Sequence, residues 1–315
     1  MVPKEHLISG FIALVLFCSM SWGTTSTAAT ENRGLQSRGA TIVCGYLPQV
    51  FYNVDPRDVA GLMEAWSRLI EHKIKGNFKA SFIVFKNIEG AEKALANNEV
   101  DVLVMIPEEF IRLRANFRLV PLLSADNGDR FYNDLVLLVR EDSGITRIGQ
   151  LRGKNLYIDV GQQGSIPIKW LDTLLRARLS TNAQGVFNNI KEFNKASQVV
   201  LPVFFHQADA CLVSRNHFET LVELNPQLGR QLRVLETSPG FVTGILAVRK
   251  DLQSSKRDAI VKSSLEMHND PKGKQIMTVF RINRMVPFKD EHLASIEKVL
   301  REHRGETDGV AKKRH

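Results

Sequence analysis

The chain has 315 residues, 43% of them hydrophobic and 24% charged, proportions that suit a folded globular protein and exclude a disordered one. That length suffices for two domains, each burying its own core. The formal net charge of +8 comes from Lys and Arg interspersed with Asp and Glu, clustering only at Lys312, Lys313 and Arg314. This pattern describes a somewhat basic solvated surface and gives no ground for a nucleic-acid partner.

At the start, Lys4 precedes an apolar run from Leu7 to Met20, and small residues follow through Ser26, Thr27, Ala28 and Ala29. A charged start, a short apolar stretch and a small-residue site form the pattern of a cleaved export signal. They predict a signal peptide over 1–29 and a soluble periplasmic protein beginning at Thr30. The run is shorter than the ~20 residues of a spanning helix. Cys18 raises the alternative of a lipid anchor, against which stands the bulky Phe17 before it. Cys44 and Cys211 then remain. An oxidising compartment invites a disulfide, but both lie in apolar strand-like runs where buried free thiols are expected.

After a polar leader over 31–39, strand and helix signals alternate. Residues 40–45 read as a strand, 54–75 as a helix with Val59, Leu62, Met63, Trp66, Leu69 and Ile70 at helical spacing, and 80–85 as a strand. A helix over 88–97 and a strand over 100–106 follow. Pro107 opens the next helix, with Glu108 and Glu109 suited to the positive end of its dipole. Asn127-Gly128 marks a turn, and the aspartates around it match no calcium loop. Strands at 135–140, 155–160, 186–193, 208–213 and 232–236 come next, with helices over 166–178, 195–206 and 216–224 between the later ones. A returning strand at 244–248 precedes helices near 255–268, 272–280 and 290–301. This order predicts α/β architecture with parallel sheets covered by helices. No nucleophile elbow, phosphate-binding glycine loop or zinc-protease motif occurs. The expectation is therefore a binding protein without cofactor or metal, not an enzyme.

No internal repeat of solenoid period appears, but several single phrases stand in a telling order. They are Gly45-Tyr46-Leu47-Pro48, Ala94 to Val102 leading to Pro107, and 135–140 running into Asp142-Ser143-Gly144-Ile145. Leu151-Arg152-Gly153-Lys154, Gln207-Ala208-Asp209-Ala210 and Ala247 to Leu252 complete the set. Together they resemble the phosphonate-binding type of periplasmic solute-binding protein. The resemblance implies a type II periplasmic binding architecture: two Rossmann-like lobes joined by two hinge crossings. The crossings would fall near Tyr132-Asn133-Asp134 and over 238–243. Lobe 1 would take 40–131 and 243–303, lobe 2 would take 133–238, and 304–315 would be a basic tail. The implied role is substrate receptor of an ABC importer, with a membrane permease as partner and a small anionic or zwitterionic, phosphonate-like compound in the cleft. The alternative is a ligand-sensing partner of a membrane kinase or cyclase.

In open parallel sheets, ligands sit beyond the carboxyl ends of strands, where helices begin. Tyr46, Glu108, Tyr132 and Asn133 are candidates there on the first lobe and hinge; Gly164, Ser165, Lys195 and Ser197 are candidates on the second lobe. Each has a plainer reading. Tyr46 is equally suited to stacking on a ligand and to roofing the core. Ser165 is explained by helix capping, Glu108 by the helix dipole, and Lys195 by solvation. His206 and His217 read as structural or exposed. The family's Ser/Thr-rich phosphate loop is replaced here by Gln162-Gln163-Gly164-Ser165-Ile166-Pro167, and Lys195 stands where the family often carries a histidine. With Glu108 facing Lys195, these departures point to an amino-bearing acid over plain phosphate.

Overall fold

The computed structural model describes residues 41–305, interrupted at 53, 55, 74–77 and 129–130. The expected signal peptide and most of the basic tail lie outside these residues. Among the described residues, eleven strands form two sheets. They are β1 (Thr41–Tyr46), β2 (Lys79–Val84), β3 (Val102–Met105), β4 (Leu119–Asp126), β5 (Leu135–Arg140), β6 (Asn155–Asp159), β7 (Asn189–Phe193), β8 (Ala210–Ser214), β9 (Leu232–Thr237), β10 (Ile245–Arg249) and β11 (Arg284–Pro287). The first sheet has the order β11-β4-β10-β3-β1-β2, the second β7-β6-β8-β5-β9.

Composition explains each strand's place. Every residue of β8 (ACLVS) is buried, as is all of β5 (LVLLVR) except Arg140. Continuous apolar runs mark strands covered on both faces. β7 (NIKEF) is mostly exposed and sits at an edge, where Lys and Glu discourage further pairing.

The sheets are not purely parallel as expected. β2, β1 and β3 are parallel, and so are β7, β6 and β8. β10 runs antiparallel to both β3 and β4, and β5 antiparallel to β8 and β9. β5 and β10 follow the two crossings, where the chain enters a sheet from the opposite side, and the edge strand β11 is also antiparallel to β4. The crossings pair with each other: the Asn133 N–H donates to the Phe241 carbonyl at 2.8 Å, and the Phe241 N–H donates back at 3.0 Å.

Two strands have no counterpart in the sequence reading, β4 and β11. β4 contains Pro121, which argues against an interior strand. The sheet accommodates it with a bulge: Leu246 pairs with Leu123 and Ala247 with Pro121, so Leu122 is skipped.

The last helix, Ala294–His303, also departs from expectation. It was placed with the first lobe, but Ile296 and Val299 enter the second sheet's apolar cluster beside Leu171 and Leu175. Its apolar residues recur at helical spacing, and the helix Ile166–Leu179 offers the matching stripe. Cys44 and Cys211 are buried and unpaired, as expected. Burial, then the nearby Asp101, pushes the Cys44 thiol up to about 12. Among the described residues no helix is long and apolar enough to cross a membrane.

Candidate functional site

The site is built where helix starts of the second lobe meet side chains of the first. At the start of the helix Ile166–Leu179, Ser165 occupies the capping position but caps nothing with its side chain. Its hydroxyl is turned to Glu108, and its N–H donates to Glu108 Oε2 at 2.9 Å. Lys169 Nζ donates to Glu108 Oε1 at 2.6 Å, one turn along. Gly164 lies at φ +56°, and a Cβ there would come within 2.7 Å of Glu108 Oε2. A carboxylate is the natural occupant of a helix N-terminus, and here the protein supplies its own. The expectation that Glu108, Gly164 and Ser165 present themselves to a ligand therefore changes: they satisfy one another.

The second helix start is engaged by a residue absent from the sequence candidates. The first amide of the helix Ala196–Phe204, the Ala196 N–H, donates to Tyr52 Oη at 2.9 Å. Tyr52 in turn donates to Asp159 Oδ2 at 2.7 Å, and its ring stacks on His217 with centroids 4.4 Å apart and planes 11° from parallel. Asp159 Oδ1 accepts from the Gly161 N–H at 3.1 Å, and His217 Nδ1 lies 3.5 Å from Asp159 Oδ2. Burial, then the Asp159 charge and its hydrogen bond, holds the Tyr52 hydroxyl far above the ordinary phenol range. Gly161 makes the approach possible, because a Cβ there would lie 2.3 Å from the Tyr52 ring and 2.8 Å from the Asn194 carbonyl.

The remaining candidates fall differently. Lys195 is exposed and Ser197 half-buried at the start of that helix, and neither makes a contact that defines the site. Tyr46 roofs the core, packed against Phe82, Phe51 and Trp66 at 5.9, 6.0 and 6.5 Å between ring centroids. The strand runs through Tyr46, and alternation from Ile42 and Cys44 turns its ring to the core face. Tyr132 is exposed beside the hinge, edge-on to Phe131. Asn133 is buried at the crossing and its Nδ2 donates to Ser214 Oγ at 2.9 Å.

A chamber of ≈ 280 Å³ opens beside these contacts, reached by both lobes and the hinge. Asn127 and Arg281 line it from the first-lobe side, Asn133 from the hinge, and Gln162, His217 and Glu219 from the second lobe. Asn133 Oδ1 and Gln162 Oε1 are buried without a hydrogen-bond partner, and His217 Nδ1 has only the 3.5 Å contact to Asp159. Unmet buried polar groups are costly, and here they gather on residues lining one space. His217, expected to be structural or exposed, is buried and lines this chamber. The aspartate at the carboxyl end of β6, followed by Val160-Gly161, was the available signal for the tyrosine contact. Its partner Tyr52 comes from a loop more than a hundred residues earlier, which local pattern does not connect. Among the described residues no cluster suited to a metal ion occurs.

Residues 50–293 match the family described as the periplasmic substrate-binding protein of phosphonate ABC transporters. The chain belongs to this family. Its fold is shared with solved structures at low sequence identity. XAC2383 from Xanthomonas citri, bound to chloride ion, is 15% identical with a TM-score of 0.67, covering 85% of this chain and 98% of its own. PhnD1 from Prochlorococcus marinus, in complex with methylphosphonate, is 12% identical with a TM-score of 0.63, covering 85% of this chain and 99% of its own. A binding protein component of an ABC phosphonate transporter from Pseudomonas aeruginosa, PA3383, is 12% identical with a TM-score of 0.61, covering 87% and 91%. No curated protein sequence matches. The two-lobed type II periplasmic binding fold is thus that of a substrate-binding protein of ABC transporter type, whose partners are a small molecule and a membrane permease.

Proposed function

We propose that this substrate-binding protein is the periplasmic receptor of an ABC importer for a small anionic or zwitterionic, phosphonate-like compound. The compound is held in the chamber between the lobes, and the lobes open and close about the paired crossings. The observation that carries this reading is that unpartnered Asn133 Oδ1 and Gln162 Oε1, with the buried His217 ring, belong to residues lining one chamber from hinge and second lobe. Arg281 adds a cation to its wall, and Glu219 and Glu223 add carboxylates. A molecule with an anionic and a cationic end meets both, whereas a plain dianion is opposed by the carboxylates once water is expelled. The two poles are thus reassigned from Lys195, which does not line the chamber, and Glu108, already paired with Lys169.

Thermal shift with methylphosphonate, 2-aminoethylphosphonate and inorganic phosphate tests the reading. A ligand at ~100 times its Kd stabilises the native state by about 2.7 kcal/mol. The aminophosphonate is expected to give the largest saturable rise, and Arg281→Ala to abolish most of it. Absence of a rise with all three probes would sink the proposal.

A further inference from the structure

The first lobe contains a second space, a cavity of ≈ 80 Å³ against one face of its sheet. Strand alternation supplies one wall, because Ile42, Cys44 and Tyr46 of β1 share a face that Val102 and Val104 of β3 extend. Ile260, Ser264 and Met267 form the opposite wall, with Trp66 and Phe280 also lining the space. Close-packed interiors leave few voids larger than a water molecule, so this space exceeds ordinary packing. A resident water needs two to four polar partners, and the strand wall offers none beyond the Tyr46 hydroxyl and a thiol. Of the polar side chains on the lining, Ser263 and Thr243 are hydrogen-bonded to Ile260 and Asn127, but three atoms are orphaned: Gln49 Oε1, Trp66 Nε1 and Gln162 Oε1 are buried without hydrogen-bond partners. Gln162 lines the polar chamber as well. The two spaces therefore meet at that residue, one polar and one apolar.

We infer that the ligand is an amphiphile, with its polar head in the cleft chamber and an apolar arm in the first-lobe cavity, past Gln162. The inference rests on the cleft-binding reading above and names the class of substrate. An apolar cavity of ~150 Å³ takes up benzene; by that scale the arm is about three or four carbons long. Gln162, the residue common to both spaces, lies where a head gives way to a tail, and its orphaned Oε1 can serve the junction. Burying each methylene is expected to strengthen binding about fourfold.

Calorimetry with n-alkylphosphonates from methyl to octyl tests this. Affinity is expected to rise about fourfold per carbon up to butyl and then to level or fall. Ser264→Leu, which fills the cavity, is expected to bind methylphosphonate as the unaltered protein does and to lose the gain with chain length. Should Ser264→Leu fail to fold, fluorescence of the unaltered protein decides. Butylphosphonate is expected to change a tryptophan signal that Trp66→Phe removes, and methylphosphonate to leave it unchanged. Binding of methylphosphonate with no gain on lengthening, or a gain that survives in Ser264→Leu, overturns the amphiphile while leaving the cleft reading in place. Failure of every member to bind, methylphosphonate included, overturns the cleft reading and this inference with it.

Discussion

The two helix starts on the second lobe are met by the first lobe in different ways. The helix Ile166–Leu179 receives a carboxylate, Glu108, whose side chain keeps 18% exposure and whose partner Lys169 keeps 27%. The helix Ala196–Phe204 receives a neutral hydroxyl from Tyr52, buried between Asp159 and the His217 ring. Partly exposed charges are screened by salt more than buried ones and gain modest net energy, whereas a buried hydrogen bond to a backbone N–H is little affected by salt and costly to leave half-made. The glycines beside the two contacts differ in the same sense. A side chain at Gly164 would press on the movable end of Glu108; one at Gly161 would press on an aromatic ring and a backbone carbonyl. The carboxylate contact is suited to exchange with solvent or an incoming anion, and the tyrosine contact to fixing where the lobes meet.

The largest expected effect comes from Gly161→Val. With no room for the new side chain, the Tyr52 contact must separate, and overpacking of this kind costs about 3 kcal/mol. Urea unfolding is expected to show that loss, and small-angle scattering an expanded particle. A variant as stable and compact as the unaltered protein would remove the tyrosine contact from the account.

Next in size is a pH effect one residue from the carboxylate contact. Glu109 accepts from the Ile106 N–H at 3.0 Å, and its burial raises its carboxyl from 4.5 to about 7. Because the folded state then holds the proton more tightly, it carries more protons than the unfolded chain between pH 4.5 and about 7. Stability therefore falls as pH rises through that window, by up to about 3 kcal/mol, and is level above it. Glu109→Gln is expected to flatten the dependence and to raise Tm at pH 8 relative to the unaltered protein. A Tm profile unchanged by Glu109→Gln would assign the dependence elsewhere.

The smallest effects separate the two contacts directly. Tyr52→Phe leaves Asp159 Oδ2 and the Ala196 N–H without their shared partner and is expected to cost about 1–2 kcal/mol, equally in low and high salt. Glu108→Gln keeps a donor and acceptor for Ser165 but drops the charge beside Lys169; it is expected to cost less than about 1 kcal/mol, and only in low salt. Equal salt dependence in the two variants would erase the distinction.

Much was legible in the chain itself. The buried strands β5 and β8 and the alternation of β1 follow from short-range apolar pattern, which needs only neighbouring residues. The order of elements implied α/β sheets covered by helices, because local preferences along the chain agree, while the two lobes and two crossings followed from the family resemblance of the quoted phrases. The helix starts at Ser165 and Lys195 were also found, since capping chemistry is written within a few residues. What occupies them was not. Tyr52 and Asp159 lie 107 positions apart, and Glu108 and Ser165 lie 57 apart, so only chain folding brings each pair together. Tyr46 follows the first apolar run directly, and the end of β1 there is decided by pairing with Val84 and Val104, whereas nothing local marks Tyr52. β4 escaped notice because Pro121 breaks the local signal, and the bulge that accommodates it belongs to two strands at once. Local sequence thus determined which segments form and roughly where a ligand would be met. Tertiary contact decided which side chains meet there, because a hydrogen bond across a cleft depends on two distant segments and leaves no periodic trace in either.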